Sequence, residues 1–276
     1  MSGARAVFLD VDGTYADRGI VPPRHVEAVR AVRAAGHRVL LCTGRPKCLL
    51  SPHLLAAGFD GFVGAAGGYV EIDGRVLVDR RFPPELARRA VAVLDRHGVA
   101  YLLEAPEAVY GRPGLDVRLT ELLTGQLRSG DATEHDGPVD ILNALEMAED
   151  LAHTSFGKII YFDSREPLAA LATAIGEEVG ALPSSIPGMG DTAGELYLRD
   201  VHKAVGIQAV VDYLGISREE VIAIGDGPND VEMIAYAGVG VAIDGAVPAV
   251  LEAAAHVVPG PEREGLVHAF TTLGLI

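Results

Sequence analysis

Two acidic clusters hold the residues whose types and spacing could do chemistry. Asp10-Val11-Asp12-Gly13-Thr14 follows the apolar run Ala6-Val7-Phe8-Leu9 directly, and Gly225-Asp226-Gly227-Pro228-Asn229-Asp230 follows Val221-Ile222-Ala223-Ile224. Side chains two residues apart on a strand leave on the same side, so Asp10 and Asp12 are predicted to share one. Carboxylates gathered at a strand end repel unless something neutralises them, and a hard divalent cation with oxygen ligands meets that need. Asp226 and Asp230 read as further oxygen ligands of the same cation, or as acids that orient it. The plainer readings are an Asp-Gly turn after the first strand and, for Asp230, a solvated acid near a helix N-terminus. An EF-hand loop fails, because Tyr15 and Val21 stand where it needs Gly and Glu. A dinucleotide fingerprint at 225–230 lacks its last glycine and would set two acids where a pyrophosphate lies. The similar run Gly188–Ala193 follows Pro187 rather than a strand and reads as a loop.

Thr43-Gly44-Arg45 ends a second apolar run, Val39-Leu40-Leu41-Cys42. A hydroxyl and backbone amides at a strand end can hold a phosphate oxygen, although the three residues alone also spell an ordinary turn. Lys203 opens a helical stretch. It and Arg45 are the best-placed cations for an anion in a chain of formal charge −15.

Positioning these groups takes a sheet with helices between its strands. The apolar runs at 6–9, 38–42, 221–224 and 239–243 read as strands buried on both faces, the kind that build parallel sheets. A helix is predicted from Pro22-Pro23 to Gly36, a second over 49–57, a hairpin turn at Asp73-Gly74, and further helices from Lys203 to Leu214 and around Met233. The stretch 104–137 reads as long and irregular, and 165–179 as a helix. The resulting expectation is an α/β protein, a doubly wound parallel-sheet (Rossmann-like) core formed by residues 1–81 and 189–276, with a smaller α/β cap inserted at 82–188.

Composition narrows the function classes. The net charge of −15 excludes the basic surface a nucleic-acid partner requires. No apolar stretch is long enough to cross a bilayer and none reads as a signal peptide. The two cysteines, Cys42 and Cys48, form no disulfide framework or zinc site, so a reducing cytoplasm is the expected compartment.

Together, Asp10–Thr14, Thr43, Lys203 and Gly225–Asp230 resemble, in order and in strand-end placement, the four motifs of the haloacid dehalogenase superfamily across essentially the whole chain. The insertion resembles the large cap of its Cof-type phosphatase branch. The resemblance implies a Mg²⁺-dependent phosphatase acting on small phosphorylated metabolites, with sugar phosphates the default. It implies Asp10 as nucleophile and Asp12 as general acid and base. It implies metal held by Asp10, the Asp12 carbonyl, Asp226 and Asp230, and phosphoryl contacts from Thr43, Gly44 and Lys203, with Asn229 and Asp230 positioning Lys203 or metal-bound water. A phosphomutase, or a non-catalytic metabolite-binding protein, would use the same scaffold; the oligomeric state stays open. Three positions depart from the family pattern: Tyr15 where an aliphatic is usual, Ala66 where Asn is frequent, and Ala204 where Gly is frequent.

Overall fold

The computed structural model describes residues 3–127, 137–184 and 192–276, so residues 188–191 of the glycine-rich run at 188–193 lie outside the described residues. The chain divides into two compact units, one of Met1–Arg45, Leu50–Asp79 and His202–Ile276, the other of Pro46–Leu49 and Arg80–Val201. The first unit begins with β1 (Ala6–Leu9), α1 (Pro23–Ala34), β2 (Arg38–Cys42), β3 (Gly61–Gly64), β4 (Tyr69–Ile72) and β5 (Arg75–Asp79). Proline suits the start of α1 because the first helical N–H has no partner to lose. The β4–β5 turn places Asp73 at φ 51 and Gly74 at φ 74, the left-handed pair that a two-residue hairpin needs. The predicted helix at 49–57 does not form. A short 3-10 turn occupies Lys47–Leu49, and the chain then runs through turns. The Ser51 carbonyl and hydroxyl accept the Leu55 and Leu54 N–H groups, and the turns that follow close with the Ala56 N–H on the His53 carbonyl and the Gly58 N–H on the Leu55 carbonyl rather than with a continuous helical ladder.

The second unit contains α2 (Pro84–Arg96), β6 (Ala100–Glu104), β7 (Val109–Gly111), α3 (Leu115–Leu127), α4 (Gly137–Ala144), β8 (Leu145–Met147), β9 (Lys158–Phe162), α5 (Leu168–Ile175), β10 (Val179–Pro183) and β11 (Gly194–Leu198). Its six strands order β10-β11-β9-β6-β7-β8 and pair antiparallel except β7 with β8. The stretch read as irregular thus contains β7 and α3. The helix expected over 165–179 is confined to Leu168–Ile175, between Pro167 and Gly176, and Val179 already starts a strand. Because β11 pairs with β9, the second sheet takes in residues beyond the insertion boundary expected at 188. One charged trio interrupts its apolar interior: Lys158 Nζ lies 3.1 Å from both Glu104 and Glu195.

The chain returns to the first unit with α6 (Lys203–Leu214), β12 (Val221–Gly225), α7 (Val231–Tyr236), β13 (Val239–Ile243), α8 (Pro248–Ala253), β14 (His256–Val258) and α9 (Gly265–Thr272). Its sheet runs β14-β13-β12-β1-β2-β3-β4-β5, parallel from β14 to β3, with β4 and β5 antiparallel. Strand alternation divides the core. Val7 and Leu9 of β1 pack with residues of α1 and α9, while Ala6 and Phe8 pack with residues of α6, α7 and α8. Helices on both faces explain why these strands read as unbroken apolar runs. The strand order reverses between β1 and β12, and crevices at such switch points are where open α/β sheets bind ligands. Among the described residues no helix is long and apolar enough to cross a membrane.

Candidate functional site

β1 and β12 run side by side, with Leu9 opposite Ile224 and the Asp10 N–H donating to the Ile224 carbonyl at 2.9 Å. Their acids therefore emerge together at the C-terminal edge of the sheet. Asp10, Asp226 and Asp230 each offer a carboxylate oxygen within 4.8 Å of the others. Lys203, at the first position of α6, reaches into this group and is completely buried. Its ammonium lies 2.5 Å from Asp10 Oδ1 and 2.5 Å from Asp230 Oδ1. The other oxygen of Asp230 accepts the N–H groups of Asp226 (2.9 Å) and Gly227 (2.8 Å). Asp230 is thus no solvated helix-end acid; it fixes the loop after β12 and the lysine at once. The Thr14 hydroxyl donates to Asp226 Oδ1 at 2.8 Å. Gly13, at φ 93, makes room for that contact, since a Cβ there would collide with the Asp226 carboxylate.

The charges of this cluster do not cancel. Three carboxylates against one ammonium leave a net −2. Burial, and then the neighbouring Asp230 carboxylate, push the Asp10 carboxyl well above the ordinary range, against the pull of Lys203. Burial likewise pushes Asp226 up to about 6, opposed by the Thr14 hydrogen bond. Burial disfavours the Lys203 ammonium too, but Asp10 and Asp230 outweigh it and hold it protonated. A site with hard oxygen donors, two unbalanced negative charges and raised carboxylate pKa values fits a divalent cation of the magnesium or calcium type.

Asp12 goes elsewhere. Strand β1 ends at Leu9 and the chain turns at Val11, so the two-residue period that predicted a shared side for Asp10 and Asp12 no longer applies. The Asp12 carboxylate instead pairs with Arg45, whose Nε and Nη2 donate to its two oxygens at 2.9 and 2.7 Å. Thr43 is buried at the end of β2, and its hydroxyl oxygen accepts the Arg45 N–H at 3.2 Å. Gly44 lies between them, half-buried, and Asn229 is half-buried in the short turn Pro228–Asp230. The loop after β3 braces this corner. Ala65 and Ala66 donate their N–H groups to the carbonyls of Arg45 and Thr43, at 2.9 and 3.0 Å. Ala66 does so with φ 54, a left-handed backbone that Asn tolerates better than Ala. Tyr15, the other conspicuous departure, is fully buried with its ring edge-on to Phe59 at 5.3 Å between centroids.

Of the residues singled out from sequence, the fold brings Asp10, Asp226, Asp230 and Lys203 into one cluster and sets Asp12 with Arg45. Sequence reasoning gave no role to Thr14, although it closes the first motif. It also did not foresee that Arg45 would engage Asp12.

The sequence profile of the haloacid dehalogenase-like hydrolases matches residues 7–270. A phosphoglycolate phosphatase of Archaeoglobus fulgidus is 28% identical, covering 99% of this chain and 98% of that protein. The 5-amino-6-(5-phospho-D-ribitylamino)uracil phosphatase YbjI of Escherichia coli K12 is 26% identical, covering 95% of this chain and 93% of its own length. Among solved structures, a hypothetical protein of Geobacillus kaustophilus HTA426 superposes with a TM-score of 0.81 at 25% identity, over 99% of this chain and 100% of that one.

Proposed function

Because the chain belongs to the haloacid dehalogenase-like hydrolases, we propose that it is a magnesium-dependent phosphatase of small phosphorylated metabolites, sugar phosphates foremost, working through an aspartyl-phosphate on Asp10. The observation that carries this reading is the cluster of three carboxylates around one buried ammonium, two negative charges in excess, at the switch point of the sheet. That phosphatases stand among its relatives supports the same chemistry.

Asp10 and Asp226, with the backbone carbonyl of Asp12 and Asp230 beside them, would hold the cation, which when bound offsets the repulsion between the Asp10 carboxylate and a phosphoryl group. The Asp10 carboxylate attacks phosphorus in line with the leaving oxygen, and an acyl phosphate forms as the ester bond breaks. Asp12 gives the leaving oxygen its proton. It then takes a proton from the water that hydrolyses the acyl phosphate and restores Asp10. Lys203, Thr43 and Gly44 donate to the phosphoryl oxygens, and Asn229 and Asp230 keep Lys203 in place. The two free thiols, one of them buried, suit the reducing cytoplasm proposed as its setting.

The experiment is phosphate release from an aryl phosphate and then from sugar phosphates, with Mg²⁺ and with chelator, for the parent and Asp10→Asn. Metal-dependent release of inorganic phosphate that disappears in Asp10→Asn is expected. Release that persists in the variant refutes the nucleophile, and isomerised sugar phosphate in place of inorganic phosphate would convert the reading into a mutase.

A further inference from the structure

We infer that Arg45 is an anion-exchange latch on Asp12: its guanidinium holds the Asp12 carboxylate until a phosphoryl group takes that carboxylate's place. The inference rests on the phosphatase reading given above and assigns Arg45 two successive roles, holding the acid–base group and then contacting the phosphoryl group.

The geometry is that of a two-pronged pair, Nε to Oδ2 at 2.9 Å and Nη2 to Oδ1 at 2.7 Å. Such fork-to-fork pairs are the strong, orienting kind of ion pair. The burial is the reverse of an ordinary surface pair, in which a long arginine sways in water. Here the Arg45 side chain is 10% exposed and the Asp12 side chain 53%. The cation is the sheltered member and the carboxylate is the one open to solvent. The backbone of Arg45 is also tied at both ends, its N–H to the Thr43 hydroxyl and its carbonyl to the Ala65 N–H. What can leave this pair is Asp12.

Charge supplies the reason for the exchange. A phosphoryl dianion must enter a chain of net charge −15, beside a cluster that is itself at −2. Lys203 already gives two of its three N–H donors to Asp10 and Asp230, each at 2.5 Å, which leaves one for a phosphoryl oxygen. Arg45 is engaged by a half-exposed carboxylate that water can receive. The guanidinium fork fits phosphate as well as it fits carboxylate. While latched, both oxygens of Asp12 accept from the guanidinium, so Arg45 sets the direction of the carboxylate. One exchange therefore provides the entering phosphoryl group with a cation and releases Asp12, which takes a proton from solvent and carries it to the leaving oxygen.

A double-mutant cycle on the binding of inorganic phosphate tests this without depending on turnover. The full chain with Mg²⁺ is titrated calorimetrically as parent, Asp12→Ala, Arg45→Met and the double variant. Removing Asp12 takes away both a like charge and a two-pronged competitor for the guanidinium, so phosphate should bind about tenfold tighter when Arg45 is present. With Arg45 replaced by Met only the charge effect is left, and the gain should shrink to about twofold. An equal gain in both backgrounds overturns the inference. If Arg45→Met does not fold, Arg45→Lys takes its place. It keeps the charge without the fork, so the gain should still shrink, and an unchanged gain again overturns the latch. A parent chain that binds no phosphate at all defeats the phosphatase reading and this inference together. Phosphate binding with additive effects defeats the inference alone.

Discussion

Replacing Lys203 by Met keeps the stem of the side chain and deletes the charge at the centre of the cluster. Lys203 is wholly buried and serves two carboxylates, of which Asp230 is fully buried and Asp10 keeps 9% of its side chain exposed. Removing one partner of a buried ion pair costs about 3–5 kcal/mol, because the abandoned charge stays buried. The lower end applies here, since Asp10 retains some solvent access and an abandoned carboxylate can take up a proton. At about 2–4 °C per kcal/mol for a chain of this size, a loss of about 3 kcal/mol lowers the melting temperature by roughly 6–12 °C. The assay is thermal unfolding at neutral pH in chelator, followed in the first unit, where the cluster lies. Two further outcomes are expected from the same argument. The deficit should narrow as the pH falls, because protonation neutralises the uncompensated carboxylates. Added Mg²⁺ should raise the melting temperature of Lys203→Met by more than it raises that of the parent, because the cluster then carries −3 rather than −2. A variant that melts within about 2 °C of the parent in chelator would show that the ammonium does not offset the carboxylates as argued.

Two other expectations follow from particular side chains. His25 is buried, accepts the Leu266 N–H at Nε2 (3.2 Å) and meets the Tyr15 carbonyl at Nδ1 (2.9 Å), which fixes a neutral ring with its proton on Nδ1. Burial pushes its pKa below the ordinary value, so the unfolded chain binds the proton more readily. The stabilisation from a neutral His25 is complete above about pH 6.5 and is lost as the pH falls through the lowered folded value. The melting temperature of His25→Gln should accordingly depend less on pH than the parent's between about pH 6.5 and 5, and parallel pH profiles would disprove the argument. Ala66 occupies left-handed backbone at φ 54, so Ala66→Asn should stabilise the first unit by about 1 kcal/mol, read as an upward shift in melting temperature; no shift or a fall would rule out strain at this position.

What the sequence disclosed and what it withheld separate along the distance over which each feature is decided. Strands β1 and β12 were legible because helices cover both faces, which makes each an unbroken apolar run that stops where its acid begins. Helix α6 was legible from Lys203 to Gly215, and the hairpin from Asp73-Gly74, since caps and turns are written in neighbouring residues. The turns at 51–57 read as helix because Ser51 before Pro52 is also how a helix starts, and neighbouring residues alone do not separate the two. The site's contacts were another matter. Lys203 meets Asp10 across 193 residues, Thr14 meets Asp226 across 212, and Asp12 meets Arg45 across 33. No spacing rule reaches that far. The charge balance of the site is therefore a property of the fold rather than of the motifs. The two motifs supply four acids, which a reading by strand period would gather around one cation site. With Lys203 as the only ammonium that grouping would stand at −3, and Arg45 would lose its two-pronged contact with the Asp12 carboxylate. The fold instead sends Asp12 to Arg45 as a neutral pair and leaves the cluster at −2, the charge that one divalent cation cancels.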